Sequence, residues 1–143
     1  MQHTRKALLV FVATLASCSG NPPLEKRIGD RQCAFEKAAL LALDEQSFDQ
    51  DLTNGGGGWR GLAARQECEL VAADLIAEYR SMHNVESPLL FWHEGQLRAF
   101  SGQYSQAISL LEKSYKPIQQ DFGWNAYADA TIAFLANDQQ KTG

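Results

Sequence analysis

The sequence predicts an all-α fold, an array of about five antiparallel helices in hairpins. Only four prolines occur among the 143 residues, and alanine and leucine occupy most apolar positions. No stretch alternates with the period of two that a half-buried strand needs, whereas beyond about residue 31 apolar residues recur with a helical period. A domain of this size buries roughly two-thirds of its unfolded surface, so we expect it to need no metal or cofactor to fold.

Residues 1–17 form the first segment, which we interpret as an export signal. Arg5 and Lys6 precede an apolar run over residues 7–16, which is too short for a bilayer that takes about 20 helical residues. The string Leu15-Ala16-Ser17-Cys18 resembles the lipobox of bacterial lipoproteins. The resemblance implies cleavage before Cys18 and acylation of that cysteine, which anchors the chain in a lipid membrane. The alternative is an ordinary signal peptide that is cleaved elsewhere.

The segment that follows, residues 18–31, is expected to be a flexible tether, because it is polar, contains Pro22-Pro23 and has no apolar period. Ser19 follows the cysteine, and in a two-membrane bacterium the resemblance then implies the periplasmic face of the outer membrane. Loss of residues 1–17 removes Arg5 and Lys6 and no acid, which moves the formal net charge from −4 to −6. Such an acidic domain, without a basic stripe, is not expected to bind nucleic acid.

Residues 32–143 are interpreted as one helical, repeat-like domain. Its first helix is expected over residues 32–48, with Phe35 and Leu41 on a broad apolar face. The C-terminal end of this helix is crowded by four acidic residues, Asp44, Glu45, Asp49 and Asp51. These oppose the helix dipole and help to end the helix, and we interpret them as a solvated edge in preference to a cation site. The glycines at 55–58 then predict a flexible connection.

The second helix is expected over residues 59–83, with Cys68 and Tyr79 on its buried stripe. An export signal implies an oxidising compartment, so a Cys33–Cys68 disulfide is the natural pairing, which would pin the first two helices as a hairpin. Two separate buried thiols are the alternative. The third helix opens at Ser87-Pro88 and ends at Gly102. The fourth covers residues 105–115 and the fifth residues 124–136.

An internal echo appears at a separation of thirty-five residues: two trios have the same spacing on one helical face, each with a large ring followed by a small residue. Its two trios are Trp92, Gly95, Ala99 and Tyr127, Ala130, Phe134. The string that runs from Gly95 through Gly102-Gln103-Tyr104, Ala107-Ile108 and Leu111 to Pro117 resembles a tetratricopeptide repeat. The resemblance covers residues 88–143 and implies paired helices that pack closely at the small residues. An unpaired last helix would leave apolar surface exposed for a partner unless it serves as a cap.

Candidate chemistry in the chain is sparse. His93-Glu94 begins like a zinc-hydrolase motif, but Leu97 stands where the second histidine is needed, so no metal site is expected. Glu94 and Asp129 occupy equivalent positions in the two repeat-like helices, and we expect Glu94 and Arg98 to form a surface pair. With Gln96 and Thr131, the two acids could line an acidic groove for a basic partner segment; a solvated helix face is the alternative.

These features favour a non-catalytic, membrane-anchored scaffold or assembly factor that binds another envelope protein. The segments 92–96 and 129–135 are similar to those of uncharacterised envelope lipoproteins, which imply no established activity. One alternative is a periplasmic immunity protein that neutralises a toxin. The other is a small envelope hydrolase, in which Glu94 and Asp129 would act as paired carboxylates.

Overall fold

The computed structural model describes residues 32–50 and 57–142, and these parts of the chain contain helices and no strand. The expected all-α fold is therefore confirmed. The predictions on residues 1–31, which include the export signal, Cys18 and the tether, lie outside the described residues, as do Gly55 and Gly56, the first two residues of the glycine run.

The described part of the N-terminal half contains four helices: α1 (Lys37–Leu41), α2 (Glu45–Asp49), α3 (Gly58–Ala63) and α4 (Glu69–His83). The C-terminal half contains α5 (Pro88–Phe100), α6 (Tyr104–Glu112), a short 3₁₀ turn (Ile118–Gln120) and α7 (Trp124–Thr142). The sequence predicts the elements of the second half well, although α6 ends three residues early and α7 runs six residues further than expected.

The prediction of one helix over residues 32–48 is wrong, because the chain breaks between α1 and α2. Asp44 caps α2, and its carboxylate accepts a 2.9 Å hydrogen bond from the Ser47 backbone N–H. That bond also lowers the pKa of Asp44. The Tyr79 hydroxyl donates to the Leu43 carbonyl at 2.9 Å and holds the break against α4. Asp44 therefore begins a helix instead of opposing the end of one.

The prediction of one helix over residues 59–83 is also wrong. The chain turns between α3 and α4, and Glu67 there adopts the left-handed conformation with φ of 60°. Arg65 donates to the Ala34 carbonyl at 2.6 Å, which ties the turn to the segment before α1. Cys68 is fully buried at the start of α4 and forms the predicted disulfide with Cys33. The turn thus brings Cys68 to the segment that carries Cys33.

Two hydrophobic cores meet at α5. The first lies among α1 to α5 and includes Phe48 and Tyr79, whose rings stack at 3.8 Å, and Leu90 and Leu97 of α5. The second lies among α5, α6 and α7 around Trp92, with four further buried residues, Ala107, Leu111, Ala128 and Leu135. The burial of Trp92 is as expected for the large ring of the repeat-like segment. Helix α5 therefore belongs to both cores.

Gly95 brings α5 close to α6. A Cβ atom at this position would lie 3.0 Å from Cγ and Cδ2 of Leu111 and 3.2 Å from the Ala107 carbonyl oxygen. Those separations are tighter than ordinary van der Waals contact, so a side chain here would require the Leu111 side chain or α6 to shift slightly. The glycine thus lets the two helices pack at a distance that places α7 beside α5 as well.

Candidate functional site

A groove of about 260 Å³ runs between α5 and α7, with α6 beneath it. It is lined by nine residues: Gln96, Ala99, Phe100, Tyr104, Leu111, Thr131, Phe134, Leu135 and Asp138. Two of its aromatic residues are unusually open to solvent, since Phe100 is 80% exposed and Phe134 is 64% exposed. We call this feature the α5–α7 groove. Gln96 and Thr131, two of the four residues predicted to bind a partner, lie in it.

Aromatic packing fixes the spacing of the groove's two walls. The Trp92 ring of α5 lies 5.1 Å from that of Trp124 and 5.2 Å from that of Tyr127, measured between ring centroids, and both partners belong to α7. Edge-on and tilted aromatic pairs at such distances add about 1 kcal/mol each beyond the area that they bury. The groove is therefore held open by a rigid cluster at the N-terminal end of α7.

The polar groups of the groove can accept and donate hydrogen bonds. The Thr131 hydroxyl donates to the Tyr127 carbonyl at 2.9 Å, which leaves the oxygen able to accept. The Gln96 side-chain carbonyl lies 3.2 Å from Nδ1 of His93, so the nitrogen of the Gln96 amide group points elsewhere. An apolar slot with a few placed polar groups is the usual composition of a binding site.

Glu94, which was predicted as a surface residue, is buried. It is 3% exposed, its carboxylate accepts from Nε of Arg98 at 2.9 Å, and Arg80 forms a second ion pair with it. Arg98 also contacts the exposed Asp74 at 3.0 Å. The expectation of a solvated Glu94–Arg98 pair is therefore wrong, because α4 packs against α5 and covers this face.

Asp129 lies apart from the groove. Its carboxylate accepts a hydrogen bond from the Tyr115 hydroxyl, and this bond raises the pKa of Tyr115. Residues two positions apart in an α-helix differ by about 200° in direction, so Asp129 and Thr131 point to nearly opposite sides of α7. Glu94 and Asp129 thus bind different side chains in the protein, although their sequence positions are equivalent.

A buried cluster around Asp49 was missed by sequence reasoning. The Asp49 carboxylate accepts from the Trp59 indole at 3.2 Å and pairs with Arg60 at 3.3 Å. Arg60 in turn lies 2.9 Å from Nε2 of His93. Burial and the neighbouring Arg60 guanidinium lower the pKa of His93, against the opposing effect of Asp49. Asp49 therefore does not belong to a solvated edge, and it joins α2, α3 and α5.

No local signal could have identified this cluster. Arg60 follows Asp49 by eleven residues and His93 follows Arg60 by thirty-three, so the contact depends on tertiary packing.

Within residues 32–50 and 57–142, no three His, Cys, Asp or Glu side chains are placed to hold a metal ion. The same residues include no helix of the length and hydropathy that crossing a bilayer would take.

Comparison with protein-family models, with curated proteins and with solved structures finds no match to this chain.

Proposed function

We propose that this protein is a lipid-anchored, non-catalytic component of the bacterial cell envelope that binds a segment of another protein in the α5–α7 groove. The anchor is the acylated Cys18, which removal of residues 1–17 makes the first residue of the chain, at the periplasmic face of the outer membrane. The single observation that carries the binding role is the exposure of Phe100 and Phe134 on the two walls of one groove. Exposed aromatic side chains that flank an apolar slot mark interaction surfaces.

The internal echo supports this assignment. In α5, Gly95 is covered by Ala107 and Leu111 of α6. The equivalent residue of α7, Ala130, is exposed, and so is the neighbouring Phe134. The face of α7 that matches the covered face of α5 is therefore open. We interpret α5 and α7 as equivalent first helices of a tetratricopeptide-like array of antiparallel hairpins, in which this face receives a helix.

The lining residues indicate the chemistry of the partner segment. An apolar side chain fits between Phe100 and Phe134, where it would remove both rings from water. Gln96 and Thr131 supply hydrogen bonds to a backbone or to a polar side chain. The partner is thus an amphipathic segment of an envelope protein, with an apolar side chain as its anchor.

The non-catalytic part of the proposal is supported by the two acids that a hydrolase would need. Glu94 is neutralised by Arg80 and Arg98 inside the protein, and Asp129 accepts from Tyr115 on another side of α7. Carboxylates that flank a glycosidic bond must both reach one sugar, with a separation of about 5 to 10 Å across an open cleft. Neither acid lines the α5–α7 groove.

Photo-crosslinking in intact cells tests the binding role. A photoreactive phenylalanine analogue is placed at Phe100, at Phe134 or, as the matched control, at Met82, an exposed apolar residue of α4. We expect one and the same crosslinked protein from positions 100 and 134, none from 82, and loss of the product when Thr131→Arg fills the groove. Its identity would separate a scaffold from an immunity protein. Equal products at 82, or none at 100 and 134, would contradict the proposal.

Fatty-acid labelling tests the anchor separately. The natural chain is expected to incorporate labelled palmitate and to fractionate with membranes. The Cys18→Ser chain should lose the label, since the sulfur that carries the diacylglycerol group is absent. Incorporation of label into both chains, or into neither, would refute acylation at Cys18 without affecting the groove.

A further inference from the structure

The connection between α6 and α7, residues 113–123, carries the most exposed apolar side chains of the described residues. Ile118 is 86% exposed and Phe122 is 96% exposed. We call this connection the α6–α7 tip. Neither side chain contributes to the two hydrophobic cores. Complete exposure of an aliphatic and an aromatic residue within five positions is costly in water, so an apolar environment outside the domain would accommodate them.

Hydrogen bonds make the tip a fixed structure. The Asn125 side chain accepts from the Lys116 backbone N–H at 2.8 Å and donates to the Lys116 carbonyl at 2.9 Å. The Asp121 carboxylate accepts from the Asn125 backbone N–H at 2.6 Å, and the Trp124 indole donates to the Ser114 carbonyl at 2.8 Å. These bonds fix the two ends of the tip against the start of α7.

The backbone at Phe122 turns the ring outward. Phe122 adopts φ of 43°, in the left-handed region that a bulky side chain rarely occupies, and Gly123 follows with φ of 86°. A residue in this region costs of order 1 kcal/mol or more. The α6–α7 tip is thus held in a conformation that keeps the ring of Phe122 away from the nearby core.

The residues at the base of the tip are of types that are enriched in the lipid headgroup region of membrane proteins. Lys116 places its ammonium 3.9 Å from the centroid of the Trp124 ring, and Tyr115 is exposed beside it. Tryptophan and tyrosine prefer the interface between lipid and water, and lysine pairs with lipid phosphate. The tip itself carries Lys113, Lys116 and Asp121, and two acids, Glu112 and Asp129, border it at Tyr115.

We propose that the α6–α7 tip inserts Ile118 and Phe122 into the surface of a phospholipid membrane. Two projecting apolar side chains above a base that offers lysine, tyrosine and tryptophan side chains fit a fluid lipid surface, whereas a protein partner would need a pocket shaped to both. The proposal rests on the lipid-anchored part of the proposed function, because acylated Cys18 would hold the domain beside the bilayer. The tip would then be the second contact that orients the domain, in addition to the acyl chains.

Depth-dependent fluorescence quenching tests insertion. The acylated chain is reconstituted into vesicles of phosphatidylethanolamine and phosphatidylglycerol with brominated acyl chains, as Phe122→Trp or as Phe100→Trp. The two native residues are comparably exposed, so the second variant is the matched control. Trp59, Trp92 and Trp124 are present in both variants and contribute a common background, in which Trp59 and Trp92 are buried and Trp124 lies at the base of the tip. We expect the tryptophan at 122 to shift to shorter wavelength and to be quenched by the bromine, and the one at 100 to add no quenching to that background.

A second position guards against misfolding, since Phe122 has an unusual backbone conformation. Ile118→Trp is expected to give the same quenching. An unquenched tryptophan at both 118 and 122, or quenching no stronger than at 100, would overturn insertion. The alternative would then be that the tip binds in a pocket of a partner protein. Palmitate labelling shows independently whether the anchor fails. If it fails, the same variants are added to the vesicles as unacylated chains. Absence of quenching at both 118 and 122 in that experiment would overturn insertion of the tip.

Discussion

Replacement of Glu94 by glutamine should destabilise the protein by about 3 kcal/mol, because it leaves a buried cation without its carboxylate. Arg98 keeps a contact with Asp74 at 3.0 Å after the change. Arg80 stacks over the Phe91 ring and loses its ion pair, and its Nε atom already lacks a hydrogen-bond partner among the described residues. The cost should therefore fall mainly on Arg80.

Urea unfolding at neutral pH, with the disulfide intact, measures this cost. The matched control is Asp74→Asn, which removes a carboxylate that is 66% exposed from the same network and should cost no more than about 1 kcal/mol. Arg80→Met combined with Glu94→Gln should be less destabilising than the sum of the single changes, since the unpaired charge is then absent. A loss below about 1 kcal/mol for Glu94→Gln, equal to that of the control, would refute the reasoning.

Three further predictions concern packing, pH and the disulfide. Gly95→Ala should lower the free energy of unfolding by about 1 kcal/mol, because the close contact with Leu111 outweighs the gain in helix propensity; Leu111→Ala should make the double variant less destabilised than the sum. The lowered pKa of His93 means that the unfolded chain takes up a proton first as the pH falls below about 6.5, so stability should fall there, and His93→Gln should flatten that slope in unfolding measurements between about pH 7 and 5. Reduction of Cys33–Cys68 should cost about 4 kcal/mol in the chain-entropy model, as measured by urea unfolding with and without reductant, and an unchanged midpoint would contradict it.

The sequence predicts the C-terminal helices well because their ends are marked by local chemistry. Pro88 begins α5 at a position where its missing N–H is not needed, and Gly102 follows its end with φ of 76°. The Cys33–Cys68 disulfide could be predicted because these are the two cysteines that follow Cys18 and because the expected compartment is oxidising. These signals are contained in a few neighbouring residues or in simple counting.

The errors arise where tertiary contacts override a local pattern. The apolar periodicity over residues 32–48 continues through the break at Leu43, which is held by the hydroxyl of Tyr79 from a distant helix. Glu94 and Arg98 have the spacing of a surface ion pair, and only the packing of α4 buries them. Two of the nine residues that line the groove, Gln96 and Thr131, were predicted from repeat equivalence, whereas Phe100 was not, since exposure cannot be seen in one sequence.

The sharing of α5 between two cores sets the order in which a nascent chain can fold. The disulfide needs only residues 33–68 and an oxidising environment to close. The first core still lacks its residues from α4 and α5 at that point, which extend from Ala72 to Leu97. A disulfide that closes this early would join a segment whose native packing is completed only when α4 and α5 dock.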